Sequence, residues 1–292
     1  MNTTTRTPVR EIGAYLGITY SLALAIAIAL PDANINKLLS VLVPTISVII
    51  LTFTITPKGS RKALWGKFGL KRPGFKVWPA AVALPIVLAG GAYGTALVIG
   101  AGRLKDIDLA DATPDWALNL VVGMIVGTLF IVNEEIGWRG YLLPRFQQLT
   151  SKRKAAVFSG FSHGLFHLPL ILIATTYDTG GARWYAAPAA VAVITAGGVL
   201  YAWMWDLSKT VWPVAIAHNV VNTVFDMGAA SVVAVSGWNM AYVAGETGFA
   251  TLGVCVIAAV VLLKRARVWR ESAGASRLVA SAPRTSATVS AA

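Results

Sequence analysis

Apolar runs long enough to cross a bilayer recur along nearly the whole chain, near residues 11–30, 35–56, 77–101, 116–136, 155–175, 186–205, 211–235 and 240–263. A helix needs roughly twenty such residues to span the hydrocarbon core. With 56% hydrophobic and only 13% charged residues among 292, the chain has too little polar surface for a soluble globule of this size. The sequence predicts an all-α fold, a polytopic transmembrane helical bundle of about eight spanning helices. The fourth helix is expected to run past Glu134 and Glu135 to about Phe146, because no strong breaker precedes Pro144.

The net charge of +12 does not read as a nucleic-acid footprint, since the basic residues fall in short blocks between apolar runs and not along one helix face. It reads as a topology signal. Lys58, Arg61, Lys62, Lys67, Lys71, Arg72 and Lys76 lie between spans two and three, and Lys152, Arg153 and Lys154 between four and five. Placing those loops and both termini in the cytoplasm puts 21 of the 25 Lys and Arg inside, leaving Lys37, Arg103, Lys105 and Arg183 outside. The first span follows Arg6 and Arg10, is long for a signal peptide and lacks a convincing small-residue cleavage site, so it reads as a retained signal anchor.

Residues 1–263 form a single membrane domain on this reading, and 264–292 a basic, Ser/Ala/Thr-rich disordered cytoplasmic tail. Residues 58–76 mix basic groups with Leu64, Trp65, Phe68 and Leu70, as a helix lying on anionic headgroups would. Asp106, Asp108, Asp111 and Asp115 read as a solvated outer loop, without calcium-loop spacing. The lone Cys255 supports neither a disulfide framework nor a cysteine metal cluster. Gly100-Ala101-Gly102 and Gly197-Gly198 read as close helix packing.

Against this apolar background stands Asn133-Glu134-Glu135-Ile136-Gly137-Trp138-Arg139, with two carboxylates and an arginine at membrane depth. Such groups are costly in a bilayer and usually paired and functional. All three histidines, His163, His167 and His218, also lie in apolar spans. Counting about 1.5 Å per residue from the basic ends puts Glu134 and His167 about 18 Å deep and His218 about 12 Å deep, in one layer. Glu135 with Arg139, His163 with His167, and His218 with Asn222 are each four apart and share a helix face. An internal Glu135–Arg139 pair leaves Glu134, turned by about 100° on the helix, for chemistry. A carboxylate beside imidazoles can take a proton from water, and an imidazole with an Asn amide can donate to an oxyanion. That set amounts to hydrolysis of an acyl bond, most plausibly a peptide.

Glu-Glu-x-x-x-Arg at 134–139, His-Leu-Pro-Leu at 167–170 and His-x-x-x-Asn at 218–222 resemble, in order, the CAAX prenyl protease and bacteriocin-processing (CPBP, or Abi) family of intramembrane endopeptidases, over roughly residues 60 to 235. The resemblance implies that Glu134 activates water together with His167, that Glu135 and Arg139 support the site, and that His218 and Asn222 form the oxyanion hole. It implies a helical bundle whose cavity opens toward the cytoplasmic side, in the plasma membrane of a bacterium. The second motif is often written Phe-x-x-x-His, and here His163 stands four before His167; His167 is preferred because Leu168-Pro169-Leu170 follows it. His163 is then a supporting residue.

Two readings of the chemistry stay open. Glu134, His163, His167 and His218 could hold a zinc, or the site could be a metal-free glutamate–histidine hydrolase without cofactors; the second is preferred. The expected partners are the lipid bilayer and a membrane-associated or lipidated peptide substrate, with no nucleic acid. Two other function classes compete: a proton-coupled transporter, disfavoured by the missing inverted repeat, and a non-catalytic membrane immunity or scaffold protein. Taken singly, each motif reads more simply as packing: Asn219 and Asn222 as links between helices, Trp138, Trp203, Trp205 and Trp212 as interfacial or packing aromatics, and Asp206 as a residue of a short loop.

Overall fold

The computed structural model describes residues 8–30, 32–106, 114–174 and 182–270. It is a helical bundle. The helices are α1 (Pro8–Ala29), α2 (Ala33–Ser40), α3 (Val43–Thr54), α4 (Arg61–Gly66), α5 (Trp78–Val98), α6 (Pro114–Glu135), α7 (Leu143–Leu149), α8 (Lys152–Phe166), α9 (Leu168–Leu172), α10 (Arg183–Ser208), α11 (Trp212–Ser231), α12 (Met240–Val243) and α13 (Phe249–Arg265). One short antiparallel pair, β1 (Gly102–Leu104) with β2 (Val232–Ala234), ties the end of α5 to the end of α11, with Arg103 opposite Val233.

Among the described residues, six helical stretches are long and apolar enough to cross a membrane: 8–29, 35–54, 75–98, 118–149, 152–172 and 183–208. The protein is an integral, multi-pass membrane protein. The last two expected spans are present as α11 and α13, but α13 has only 17 residues and α11 carries His218, Asn219, Asn222 and Asp226. Exposed apolar stripes mark the lipid side. On α6, Leu118, Val121, Val122, Ile125 and Leu129 repeat at helical spacing with large exposed surfaces, a pattern suited to lipid and costly in water.

Prolines divide three of the expected spans. Pro44, at the start of α3, separates it from α2 through a turn at Val41–Leu42. Pro169 has no N–H for the carbonyl of Leu165, so α8 stops at Phe166 and His167 occupies the break before α9. The long fourth helix does pass Glu134 and Glu135, but Ile136–Leu142 is a π-helix, and Leu143 N–H donates to the Trp138 carbonyl five residues back. Pro144 would clash with the Gly140 carbonyl in a regular α-helix, and the wider turn ahead of it accommodates the ring.

Small residues let the central helices touch. A Cβ on Gly198 would come within 2.5 Å of the Gly160 Cα, so α8 and α10 cross backbone to backbone. A Cβ on Gly197 would meet nothing, so of that pair only Gly198 serves packing. Gly137 and Gly140 lie in the π segment under Tyr15, Pro44 and Phe68, where any side chain would collide.

At the basic end of the bundle Phe68 is fully buried and Leu64, Trp65 and Leu70 pack on the core, while α4 buries none of its residues and Lys58, Lys62, Lys67, Lys71, Arg72 and Lys76 are exposed, so the 58–76 segment lies across that end with its apolar side chains inward. Trp212 Nε1 donates to the Leu70 carbonyl at 2.9 Å and Thr210 Oγ1 to the Gly69 carbonyl at 2.9 Å. Asp206 lies within α10, not in a loop, and is buried; it accepts from Gln147 Nε2 at 3.0 Å and Trp269 Nε1 at 2.8 Å. Residues 264–270, assigned to the tail from sequence, complete α13 and a short turn that buries Trp269. Residues 271–292 lie outside the described residues, as do Asp108 and Asp111.

Candidate active site

The π segment sets the site's geometry. Glu134 and Glu135 end α6, and Arg139 follows within the π turn. Arg139 Nη1 donates to both Glu135 oxygens, at 3.0 and 3.1 Å, with both side chains fully buried. His218, from the first third of α11, brings Nδ1 to 2.8 Å from the same Glu135 Oε1. Tyr201 of α10 completes this layer, with its ring stacked on His218 at 5.3 Å and lying 4.8 Å under the Arg139 guanidinium. A buried ion pair is costly to desolvate; the imidazole and the aromatic face offset part of that cost, while Arg139 Nε and Nη2 are buried with no hydrogen-bond partner. The paired role expected for Glu135 and Arg139 is the geometry observed.

Glu134 turns to the other side, as the helical rotation required. Its Oε2 lies 3.0 Å from His163 Nε2, and His163 Nε2 lies 3.3 Å from His167 Nε2. On the far side of the ring, His163 Nδ1 lies 3.3 Å from Arg139 Nη1. A guanidinium can only donate, so Nδ1 must be the acceptor and the ring proton sits on Nε2, pointing at Glu134. Trp138 stacks on this ring at 4.8 Å and holds its plane. The direct partner of Glu134 is therefore His163, which the sequence cast in support, while His167 stands beside it at the α8–α9 break.

Glu134, His163 and His167 could bring one donor atom each to a metal, all within 4.8 Å of one another. In this arrangement His163 offers a metal no lone pair. A zinc ligand must offer a lone pair, and His163 has committed Nδ1 to Arg139 and carries the proton on Nε2. His218 is likewise engaged through Nδ1 with Glu135, leaving only its Nε2.

Two adjoining cavities meet at this cluster. The more polar of the two, of about 110 Å³, is lined by Glu134, His167, His218 and Asn222, with Lys37 and Glu246 and an apolar wall that includes Ile131 and Phe166. A mostly apolar one of about 100 Å³ shares His167, His218, Asn222 and Glu246 and continues past Tyr201, Ile194 and Phe225. Each has room for about three waters. The Asn222 side chain makes no hydrogen bond among the described residues and lines both spaces, whereas Asn219 Nδ2 donates to the Met124 carbonyl at 3.0 Å and is a helix link.

Tyr201, Lys37 and Glu246 were not singled out from sequence. Tyr201 looks like any core aromatic, and Lys37 and Glu246 lie far from the motifs. Glu246, in the turn between α12 and α13, is open to the cavity but hemmed by protein, which raises its carboxyl above the ordinary range; Lys37 pulls it down and Asp226 pushes it further up. Trp138 and Trp205 are buried packing aromatics.

Fold and site together define a polytopic helical membrane protein with a buried carboxylate–histidine cluster at a cavity. The model of the family described as Type II CAAX prenyl endopeptidase Rce1-like matches residues 114–224, the stretch from α6 through most of α11 that supplies every motif residue. The resemblance read from the motifs is borne out over that stretch. A relative named CAAX prenyl protease 2, from Methanococcus maripaludis, is 31% identical over 93 residues, 30% of this chain. The match spans about a third, 34%, of that relative's length.

Proposed function

We propose that this protein is an intramembrane endopeptidase that hydrolyses peptide bonds of membrane-associated or lipidated peptides with water activated by Glu134. The family match and the relative's name support the protease class. The observation that carries the mechanism is the Glu134 carboxylate, fixed by His163 and lining a water-sized cavity beside His167, His218 and Asn222.

With His163 Nε2–H on Oε2, the other Glu134 oxygen takes a proton from a water held between it and His167. The oxygen of that water bonds to the scissile carbonyl carbon. The carbonyl oxygen becomes an oxyanion and accepts from His218 Nε2–H and the Asn222 amide. Glu135 on Nδ1 balances the charge His218 carries as a double donor. Glu134 then passes its proton to the amide nitrogen, the C–N bond breaks, and a carboxylate and an amine leave. No metal enters this sequence.

Cleavage of a quenched fluorescent peptide library by detergent-purified protein tests the reading. Wild type cleaves and Glu134→Ala does not; cleavage surviving that substitution would overturn it.

A further inference from the structure

The mostly apolar chamber carries one carboxylate. Val193 and Ile194 of α10 and Val221 and Phe225 of α11 give it an apolar lining, and among the described residues Glu246 is the one acidic side chain on its wall. Lys37 and Glu134 line the polar cavity alone. The residues common to both spaces are His167, His218, Asn222 and Glu246, so this carboxylate stands beside any peptide held at His218 and Asn222.

The turn between α12 and α13 fixes Glu246 in that position. Thr251 Oγ1 donates to the Gly245 carbonyl at 2.8 Å and to the Ala244 carbonyl at 3.1 Å, and the Tyr185 hydroxyl donates to the Thr247 carbonyl at 3.1 Å. Ala244, Thr247 and Gly248 are buried, and a Cβ on Gly248 would come within 2.5 Å of the Val243 carbonyl carbon. Glu246 stands out of this packed turn, and none of the ion pairs among the described residues includes it. Burial raises its carboxyl, Lys37 and His218 pull it down and Asp226 pushes it up, so a cation brought beside it offsets what burial costs the charged form.

Size narrows the choice of cation. A cavity of roughly 150 Å³ takes a benzene ring. The chamber has about 100 Å³, which disfavours a ring and suits one unbranched chain. Long basic side chains join an apolar stem to a charged head, the combination this wall matches.

We propose that the chamber is a specificity pocket for a basic substrate side chain next to the scissile bond, with the stem against Val193, Ile194 and Phe225 and the cation on Glu246. This deepens the endopeptidase reading and rests on it for what the bound peptide undergoes. Glu246 lies outside residues 114–224, the stretch that matches the family model, so the preference comes from this chain's own α12–α13 turn.

Two measurements on the detergent-purified full chain test it. In the first, the unfolding temperature is read with N-acetyl-lysinamide or N-acetyl-norleucinamide, which share an unbranched stem and differ in the ammonium group. The lysine ligand should stabilise wild type more, and Glu246→Gln should lose that difference while keeping its response to the norleucine ligand. In the second, matched quenched fluorescent peptides carry Lys, norleucine or Glu at each position around the scissile bond. At one position kcat/KM in wild type should favour Lys over norleucine by about tenfold or more, the scale of one hydrogen bond to a charged group. Glu246→Gln should show no such preference, and Glu246→Lys should favour Glu. Equal responses to the two ligands in wild type would overturn the proposal. So would a Glu246→Gln variant that lowers the Lys and norleucine peptides by the same factor, the mark of a merely structural role. If wild type cleaves no peptide while the lysine ligand still stabilises it through Glu246, the pocket stands and the peptidase reading falls.

Discussion

His163 Nε2 lies 3.0 Å from Glu134 Oε2, while Arg139 occupies the other nitrogen of the same ring at 3.3 Å. The arginine thus dictates which nitrogen carries the proton, and the proton points at the carboxylate proposed as the base. Replacing His163 with Ala should lower kcat/KM by about a hundredfold or more, the scale on which misplacing a general base is felt. His163→Gln, which can still donate, should recover part of the loss. Steady-state kinetics on one peptide decide it; wild-type rates for His163→Ala would remove His163 from the mechanism.

Glu135 is shared by Arg139 and His218, so the cluster is structural as well as chemical. Arg139→Ala leaves a buried carboxylate without its cation and should cost about 3–5 kcal/mol of stability, read as a lower unfolding temperature in detergent. The double variant Glu135→Leu with Arg139→Met should regain much of that stability without regaining activity. A double variant as unstable as Arg139→Ala would contradict this account of the pair.

The α8–α10 crossing gives a contrast between neighbours. Gly160→Val drives a side chain toward the Thr195 carbonyl, which a Cβ would already meet at 2.6 Å, and should cost about 1–3 kcal/mol. Gly197→Ala enters open space in the cavity wall and should leave stability unchanged or raised by up to about 1 kcal/mol. Thermal unfolding of the two purified proteins checks both signs.

The bundle and the inward faces of Glu135–Arg139 and His218–Asn222 were legible because composition and a four-residue spacing are properties of the chain itself. Helix continuity was less so. Pro169 and Pro144 do not announce whether a helix will end, as at His167, or widen into a π turn, as at Ile136–Leu142. The choice between His163 and His167 was not legible either, since both share a helix face and only the approach of α6 brings Glu134 to one of them. Phe68, Lys37 and Glu246 illustrate the same limit. Each is ordinary in sequence and acquires its role from a segment folded back over a hundred or more residues of separation, or across the bundle.

The proposed metal-free mechanism predicts indifference to chelators. His163 engages Arg139 through Nδ1 and Glu134 through Nε2, and His218 engages Glu135 through Nδ1, so prolonged dialysis against a strong chelator should leave peptide cleavage at the untreated rate. Loss of activity restored by zinc would show that the histidines rearrange to bind it.

Whether Glu134 is the base is decided by cleavage of a single identified peptide by wild type and by Glu134→Gln, with folding checked by unfolding temperature. The substitution keeps the shape and removes the base. Glu134→Gln should unfold within about 1 kcal/mol of wild type and cleave at a rate lowered by a factor on the order of a thousand. Cleavage by Glu134→Gln near the wild-type rate would contradict that role.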